Sequence, residues 1–364
     1  PDQVIHGDRQ QQVQRRRIQA AQGVLDHAFE AVGPHGDRIP VEGGRQQQLT
    51  VGNGRGPYNG RMPFSFDVPP PQSPRHWPTW LGIGVLALLA RLPWGLQRTL
   101  GRALGAAMQW TLSKRRTIAR RNLELCFPQL DERARAALLS RHFAALGIAI
   151  FEFGRAWWGS VAPQRRGLII EGMEHIEAAQ ANGRGVIVVS GHFTTLEICA
   201  RLACDSVPLA GMYRPYPQQA MEWAVLRGRS RYAAGMFAKD DVRGVAKHLK
   251  RGGLLWYAPD QDPSKGDSVF VPFFGQPAKS LKSTHQLARL SGAAVVMFQH
   301  FRRDDGGYTL RFWPAFEHFP SDDADADTVR VIAAIETMVR DAPSQYLWIH
   351  RRFKRQPDGA SAYD

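Results

Sequence analysis

The feature that most constrains this chain is a β-branched run followed at once by a helical pattern. Residues 185–190 read GVIVVS, and residues 191–202 read GHFTTLEICARL. The first segment is typical of a strand, and the second has the apolar spacing of a helix. Strand followed by helix is the repeating unit of α/β proteins, so this pair already favours that class.

The alternation of strand and helix continues along the chain. A second apolar run lies near 207–213, a basic helical pattern follows around 218–233, and GLLWYAPD forms another apolar segment at 253–260. A β-branched run near 294–301 and an amphipathic pattern across 328–340 complete the set. We therefore predict an α/β fold with a central, mostly parallel or mixed sheet flanked by helices.

The two ends of the chain lack this pattern. Residues 1–61 are rich in Gln, Gly and Arg and contain no methionine before Met62. Such a composition cannot build a core, so we expect a disordered or non-native upstream segment there, with Met62 as the natural start. We expect a Pro-rich spacer at 62–78, the main domain at 113–356 and a disordered tail at 357–364.

Residues 79–112 are predicted to form a membrane anchor or interfacial helix region. Their uninterrupted apolar part, 81–90, is half the length of about 20 residues that a simple transmembrane helix needs. Apolar residues then recur every fourth position, at Leu96, Leu100, Leu104 and Met108, before a basic stretch. The alternatives are a spanning segment, an interfacial helix, or a buried first helix packed on the domain.

Charge and cysteine content narrow the class of protein. The chain carries 47 Lys and Arg against 33 Asp and Glu, a formal net charge of +14, which attracts phosphate-bearing partners. The charge is dispersed and no nucleic-acid-binding module is recognisable, so we expect no nucleic-acid partner. Three cysteines without metal-ligand spacing, and no phosphate-binding glycine motif, predict neither a metal nor a cofactor.

His192 and Glu197 are the candidate catalytic residues. They lie five residues apart, just after the strand predicted at 186–190. Ligands of α/β sheets bind at the carboxyl ends of the strands, where a neutral histidine can remove a proton from a hydroxyl. We predict that the turn before the helix lets Glu197 converge on His192, orient its ring and stabilise its charged form.

Several sequence blocks occur in order around this pair and resemble one family. They are RRTIARRNLELCFPQL (115–130), HFTTLE (192–197), GMYRP (211–215), RGRSR (227–231), APDQD (258–262), VPFFG (271–275) and QYLWIHRRFK (345–354). Together they resemble the bacterial lipid A biosynthesis acyltransferases over residues 80–356. The RGR and WIHRRFK blocks look closer to the lauroyl and palmitoleoyl transferases than to the myristoyl enzymes.

This resemblance implies a specific activity and location. Such enzymes are anchored at the cytoplasmic face of the bacterial inner membrane. They transfer an acyl chain from acyl carrier protein to a hydroxyl of the Kdo-bearing lipid A precursor. The positions that the family ties to activity fall here on His192, Glu197, Arg229 and Asp260.

The residues themselves support a direct acyl transfer. His192 would deprotonate the acceptor hydroxyl, and the alkoxide would attack the thioester without a covalent acyl-enzyme. We interpret Cys199 as core packing. Asp260 is expected to hold a basic residue or a substrate hydroxyl. Arginine matches phosphate geometry, and Arg229 is the first candidate ligand of the acceptor phosphates. The other basic candidates are Arg214, Arg227, Lys279, Lys282, Arg351 and Arg352.

Two other interpretations remain open from the sequence. One keeps acyl transfer but uses another glycolipid or a lysophospholipid as acceptor. The other is a basic, noncatalytic protein that binds membranes or nucleic acid, in which case the ordered blocks would be coincidental.

Overall fold

A computed structural model describes residues 64–181 and 183–363 of the chain. The upstream segment predicted at 1–61 lies outside the described residues. The helices are α1 (Trp77–Leu89), α2 (Trp94–Thr111), α3 (Ser113–Cys126), α4 (Glu132–Trp158), α5 (Ala162–Arg166), α6 (Met173–Gln180), α7 (Leu196–Ala203), α8 (Gln219–Arg229), α9 (Val242–Lys250), α10 (Ser283–Ser291) and α11 (Ala324–Asp341). The strands are β1 (Leu168–Glu171), β2 (Val186–Val189), β3 (Leu209–Tyr213), β4 (Gly235–Ala238), β5 (Leu254–Tyr257), β6 (Ser268–Phe273), β7 (Gln276–Leu281), β8 (Ala294–Arg302) and β9 (Tyr308–Phe312).

A seven-stranded mixed sheet forms the centre of the described chain. Its strand order is β1-β9-β8-β2-β5-β3-β4. The strands from β8 to β4 run parallel, whereas β9 is antiparallel to β8 and carries β1 parallel to itself. The predicted α/β class with a mostly parallel or mixed sheet is therefore confirmed. A separate antiparallel hairpin consists of β6 and β7.

Strand β2 lies in the middle of this sheet, between β8 and β5. All of its residues, Val186–Val189, are buried, because helices cover both faces. In the register, Val189 lies beside Tyr257 of β5 and Met297 of β8. The loops that follow β2 and β5 therefore leave the sheet side by side at its carboxyl edge.

Helix α4 is the long core helix of the molecule. Asp131 caps its amino end, because the Asp131 carboxylate accepts a hydrogen bond of 2.7 Å from the N–H of Ala134. Glu152 in its second half forms a buried ion pair with Arg302 of β8, with an N–O distance of 2.7 Å. Tyr308 also donates a hydrogen bond to Glu152. This pair joins α4 to the sheet.

Among the described residues, one helix is long and apolar enough to cross a membrane, and that helix is α4. However, 61% of its most apolar 18-residue window is buried inside the protein. Helix α4 contacts α1, α2, α3, α7 and α8. These contacts are those of a core helix.

The predicted membrane region, 79–112, forms two helices that are separated near Pro93. Helix α1 has no buried residue, and its Leu81 side chain is 70% exposed. Helix α1 is therefore not the buried first helix that the sequence left open. Whether it meets a membrane stays a prediction.

Helix α2 packs on α4 through glycines rather than through its leucines. Gly101 and Gly105 face Gly147 of α4 so closely that a Cβ atom on Gly105 would lie 2.1 Å from the Phe143 carbonyl oxygen. Leu96 and Leu100, which the sequence places on the apolar face, are exposed. The close backbone approach selects the glycine face, so Leu96 and Leu100 turn outward, whereas Met108 at the end of the predicted apolar face is buried.

The predicted Pro-rich spacer is packed on the domain from its first described residue. Phe64 and Phe66 are buried in a cluster that includes Met236. The indole N–H of Trp223 donates a hydrogen bond of 2.6 Å to the Val68 carbonyl oxygen. Burial of two aromatic rings explains why this segment is ordered despite its proline content.

The end of the chain, predicted to be a disordered tail, also contacts the domain. The Tyr363 hydroxyl donates a hydrogen bond of 2.5 Å to Asn122 of α3 and accepts one from the Phe353 N–H. Arg121 donates to the Ala362 carbonyl oxygen at 3.0 Å. Tyr363 therefore holds residues 357–363 against α3, because its hydroxyl both donates and accepts a hydrogen bond.

The glycine contact yields a test with a built-in control. Gly105→Ala should lower the free energy of unfolding by about 1–3 kcal/mol, because the added methyl group meets backbone atoms of α4. Gly84→Ala on α1, where nothing lies within 4 Å, should raise it by about 0.5–1 kcal/mol through the helix preference of alanine. Urea unfolding of both variants measures the difference. Equal stability of the two variants would contradict the packing.

Candidate active site

The candidate site lies at the carboxyl edge of the sheet, where the loops after β2 and β5 meet. The Ser190 N–H donates a hydrogen bond of 3.0 Å to the Tyr257 carbonyl oxygen, which extends the pairing of the two strands by one residue. His192 follows in the first loop and Asp260 in the second. Their side chains therefore converge although they are 68 residues apart in the chain.

His192 is held by Asp260 through two hydrogen bonds. Its ring Nδ1 lies 2.5 Å from Asp260 Oδ1, and its backbone N–H donates to Oδ2 at 2.8 Å. A carboxylate accepts only, so a neutral ring places its proton on Nδ1 and its lone pair on Nε2. His192 is about one-fifth exposed and Asp260 is fully buried. Nε2, the ring nitrogen that can act as a base, therefore points away from the buried carboxylate.

Asp260 stays ionised in its buried position. Burial alone would raise the pKa of its carboxyl group, but the charge and hydrogen bonds of His192, together with Arg352, lower it to about 2. The ionised carboxylate can therefore stabilise a positive charge on the His192 ring whenever the ring takes up a proton.

The C-terminal block QYLWIHRRFK completes the histidine loop. The Leu347 N–H donates to the His192 carbonyl oxygen at 3.0 Å, and the Thr194 N–H donates to the Gln345 carbonyl oxygen at 2.7 Å. These bonds bracket Tyr346, whose hydroxyl interacts with Asp260. The C-terminal block therefore fixes the backbone directly after the base, from the His192 carbonyl group to the Thr194 N–H, a role that its sequence does not indicate.

Glu197 is not the residue that orients His192, which corrects the sequence-based prediction. Its carboxylate forms a two-pronged ion pair with Arg229 of α8, at 2.7 Å and 3.0 Å. It also accepts hydrogen bonds from Trp157 at 2.6 Å and Tyr232 at 2.5 Å. Glu197 lies in the first turn of α7, and its side chain points to α4 and α8 instead of back to the loop.

Glu197 and Arg229 form a charged pair with little access to water. Burial would raise the pKa of Glu197, but Arg229 and the two hydrogen-bond donors lower it. Burial would likewise lower the pKa of Arg229, and Glu197 raises it. Removal of either partner would leave a buried charge unpaired. Sequence reasoning named both residues but not their pairing, and it missed Trp157 of α4 and Tyr232, which directly follows the RGRSR block.

The other arginines predicted to bind phosphate differ in their exposure. Arg214 lies exposed after β3, and Arg351 lies exposed with its guanidinium 5.8 Å from the Tyr363 ring centre. Arg352 is buried and donates to the Lys279 carbonyl oxygen at 2.5 Å and to Ser280 Oγ at 2.6 Å. Its guanidinium holds the β6–β7 hairpin, so the prediction that it binds substrate phosphate is not supported.

Asp262, the second carboxylate of the APDQD block, has a different partner from Asp260. It forms an ion pair with Arg355, and its backbone N–H donates to His350 Nε2 at 3.2 Å. Across the described residues, no group of three or more His, Cys, Asp or Glu side chains could hold a metal ion.

An apolar cleft opens beside the two charged pairs. Trp256 of β5 stands edge-on to the His192 ring, with ring centres 6.2 Å apart, and also lines the cleft. The Glu197–Arg229 pair forms part of its wall. Its apolar lining includes Leu196, Ala200, Leu209, Met212 and Met236. The cleft is small, about 40 Å³, and neither His192 nor Asp260 lines it, so Trp256 is the residue that links it to the His192 ring.

A histidine base held by a buried carboxylate, beside an apolar cleft of an α/β sheet, is a site for acid–base chemistry on an apolar substrate. The sequence profile of one family, described as bacterial lipid A biosynthesis acyltransferase, matches residues 69–355. The chain belongs to this family.

Individual relatives agree with this assignment. The lipid A biosynthesis palmitoleoyltransferase of Escherichia coli (strain K12) is 40% identical over 291 residues, which cover 79% of this chain and 95% of the relative. The lauroyltransferase of the same organism is also 40% identical, over 79% of this chain and 94% of its own length. The myristoyltransferase is 27% identical over 79% of this chain and 90% of its own length. The predicted resemblance to the lauroyl and palmitoleoyl branch is confirmed.

His300 of β8 offers a test of the electrostatics below the site. Its Nδ1 lies 3.0 Å from Thr195 Oγ1, and burial, aided by nearby His192, lowers its pKa from 6.5 to about 3. At pH values between these two pKa values, the unfolded chain binds one more proton than the folded chain, so the free energy of unfolding falls as the pH falls. His300→Asn should make that slope shallower by about 1.4 kcal/mol per pH unit.

Denaturant unfolding of the wild type and His300→Asn between pH 7 and pH 4 measures the two slopes. At pH 7 and above, the two curves should run parallel, because the histidine is then neutral in both states. Parallel curves down to pH 4 would show that the buried ring is not kept neutral.

Proposed function

We propose that the protein transfers a fatty acyl group from an acyl carrier protein thioester to a hydroxyl of the Kdo-bearing lipid A precursor. The proposal depends on one observation above all, the two hydrogen bonds between Asp260 and His192, whose ring meets Trp256 in the wall of an apolar cleft. Family membership supports acyl transfer in lipid A synthesis. The donor and the exact acceptor are part of the proposal.

In the proposed first step, His192 Nε2 accepts the proton of the acceptor hydroxyl. The proton on Nδ1 stays in the hydrogen bond to Asp260, so the ring becomes positively charged next to an ionised carboxylate. Asp260 acts as a positioning residue, because it fixes the tautomer and stabilises the imidazolium without touching the substrate.

In the second step, the acceptor oxygen forms a bond to the thioester carbonyl carbon, giving a tetrahedral intermediate. When the intermediate collapses, the carbon–sulfur bond breaks, and the imidazolium returns its proton to the leaving thiolate. Cys199 takes no part, because it is fully buried and burial raises the pKa of its thiol well above the ordinary value.

The Glu197–Arg229 pair is proposed to shape the acyl-binding cleft. Its two hydrogen bonds join the first turn of α7 to the end of α8 and keep that wall in place. Glu197 would then affect binding of the acyl chain more than the proton transfer. The exposed residues Arg214 and Arg351 remain the candidates for contact with the acceptor phosphates.

The exposed apolar side chains of α1 and α2 support association with a membrane, which family membership leads us to propose is the inner membrane at its cytoplasmic face. Trp77, Leu81 and Leu88 project from α1, and Leu96, Leu100 and Trp110 project from α2. Such a surface is unfavourable in water but suits the boundary of a bilayer, where the lipid acceptor resides. We call these residues the apolar helix face.

The function can be tested with purified protein, acyl carrier protein thioesters of several chain lengths and the Kdo-bearing precursor, with products identified by mass spectrometry. His192→Ala should lower kcat by roughly 10²–10⁴, because general base catalysis contributes that much. Asp260→Asn should lower kcat by at least about 10², because it can stabilise the wrong tautomer and no longer offsets the ring charge.

The variant Glu197→Gln distinguishes the role of Glu197 from that of Asp260. It should change KM for the acyl donor and destabilise the fold by about 3–5 kcal/mol, because Arg229 loses its buried partner. Full activity of His192→Ala, or a larger loss of kcat in Glu197→Gln than in Asp260→Asn at equal folded fraction, would overturn the proposed roles. Transfer only to a lysophospholipid would overturn the proposed acceptor.

Membrane association has its own expected outcome. Leu81→Asp should weaken binding to vesicles that contain anionic lipid, because it places a charge in the apolar helix face. Leu290→Asp on α10 is the matched control, because that leucine is also exposed, at 48%, but lies outside the face. Flotation of vesicles with each variant measures the bound fraction. Equal loss of binding in both variants would contradict the assigned face.

A further inference from the structure

A second cleft lies between the β6–β7 hairpin and the C-terminal segment, with a volume of about 310 Å³. The hairpin contributes Phe270 and Lys279 to its walls, and the C-terminal segment contributes Lys354, Arg355 and Gln356. We call this the hairpin cleft. It shares no lining residue with the apolar cleft beside His192.

The hairpin cleft combines positive charge with an exposed aromatic ring. Arg355 forms an ion pair with Asp262, whereas neither Lys279 nor Lys354 pairs with a carboxylate of residues 64–181 or 183–363. The Phe270 side chain is 37% exposed between them. Two available ammonium groups around an apolar ring complement a partner surface with carboxylates around an apolar patch.

The hairpin cleft is tied directly to the residues around the proposed base. Arg355 pairs with Asp262, which follows Asp260 by two residues in the same loop. Arg352 donates to the carbonyl oxygen of Lys279 and connects the hairpin to the C-terminal segment. Residues 345–347, which precede this segment, also bond to the backbone that follows His192. A partner bound in the cleft would therefore sit next to the loops that carry the chemistry.

We propose that the hairpin cleft docks the acidic carrier protein that presents the acyl donor. This proposal rests on the proposed function, because the donor there is a thioester of acyl carrier protein. A carrier that approaches through water needs a recognition surface apart from the one that meets the lipid. The hairpin packs on α11, whereas the apolar helix face belongs to α1 and α2, which pack on α4. Charge complementarity favours the protein partner over an apolar one.

The test reverses the charge of the two lysines. The double variant Lys279→Glu/Lys354→Glu is compared with the control Lys247→Glu/Lys250→Glu on α9. The control changes the net charge by the same amount, but α9 precedes the amino end of β5 and so lies at the opposite edge of the sheet. Circular dichroism and melting temperature establish that both double variants are folded. Each is assayed with acyl carrier protein thioester and with S-acyl pantetheine, an uncharged small donor.

The hairpin-cleft variant should raise KM for the carrier thioester at least tenfold, with kcat unchanged and with the pantetheine donor used as well as by the wild type. Higher salt should raise the wild-type KM for the carrier, so that the KM values of the wild type and the variant become more similar. The α9 control should behave like the wild type with both donors. Equal KM values for the carrier in all three proteins would overturn the proposal.

A direct binding measurement separates this proposal from the proposed function. Titration of carrier protein without an acyl group against the wild type in detergent should show binding that the hairpin-cleft variant loses. Binding without any acyl transfer would sink the proposed function and keep the docking site. Slower transfer from both donors, with a raised KM for the lipid acceptor, would mean that the cleft holds an anionic lipid, and the docking proposal would be wrong.

Discussion

The candidate site depends on one buried carboxylate that accepts two hydrogen bonds from the same residue. Asp260 accepts hydrogen bonds from the ring and from the backbone of His192, so it fixes both the tautomer and the loop. This geometry requires β2 and β5 to be neighbours and parallel, because only then do their following loops meet. The other strands, and the C-terminal block that bonds to the His192 loop, support that juxtaposition.

Buried ion pairs stabilise the parts of the structure that surround the site. Glu152 and Arg302 join the long helix α4 to the sheet, while Glu197 and Arg229 join α7 to α8. Charges taken out of water are costly unless every lone pair finds a donor, and tyrosine or tryptophan hydrogen bonds complete both carboxylates. The strong charges of the site are therefore fixed in place before any substrate binds.

The sequence predicted the strand–helix unit that carries His192, the mixed α/β sheet and the membership of Glu197, Arg229 and Asp260 in one region. It named Glu197 instead of Asp260 as the carboxylate that meets His192, because the correct partner depends on the spatial order of β2 and β5. Arg352 looked like its exposed neighbour Arg351, since a basic block does not reveal which side chain turns inward. The Phe64 and Phe66 contacts were missed because two isolated aromatic residues in a proline-rich segment do not form a recognisable apolar pattern.

The pairing of residues 345–347 with the His192 loop also bears on how the protein is made. A ribosome releases the chain from its amino end, so the strands of the sheet emerge before residues 345–347 do. The His192 loop can gain the two backbone hydrogen bonds from these residues only after they have emerged, long after His192 itself. A chain interrupted before residue 345 would lack both of these bonds to the backbone that follows the base.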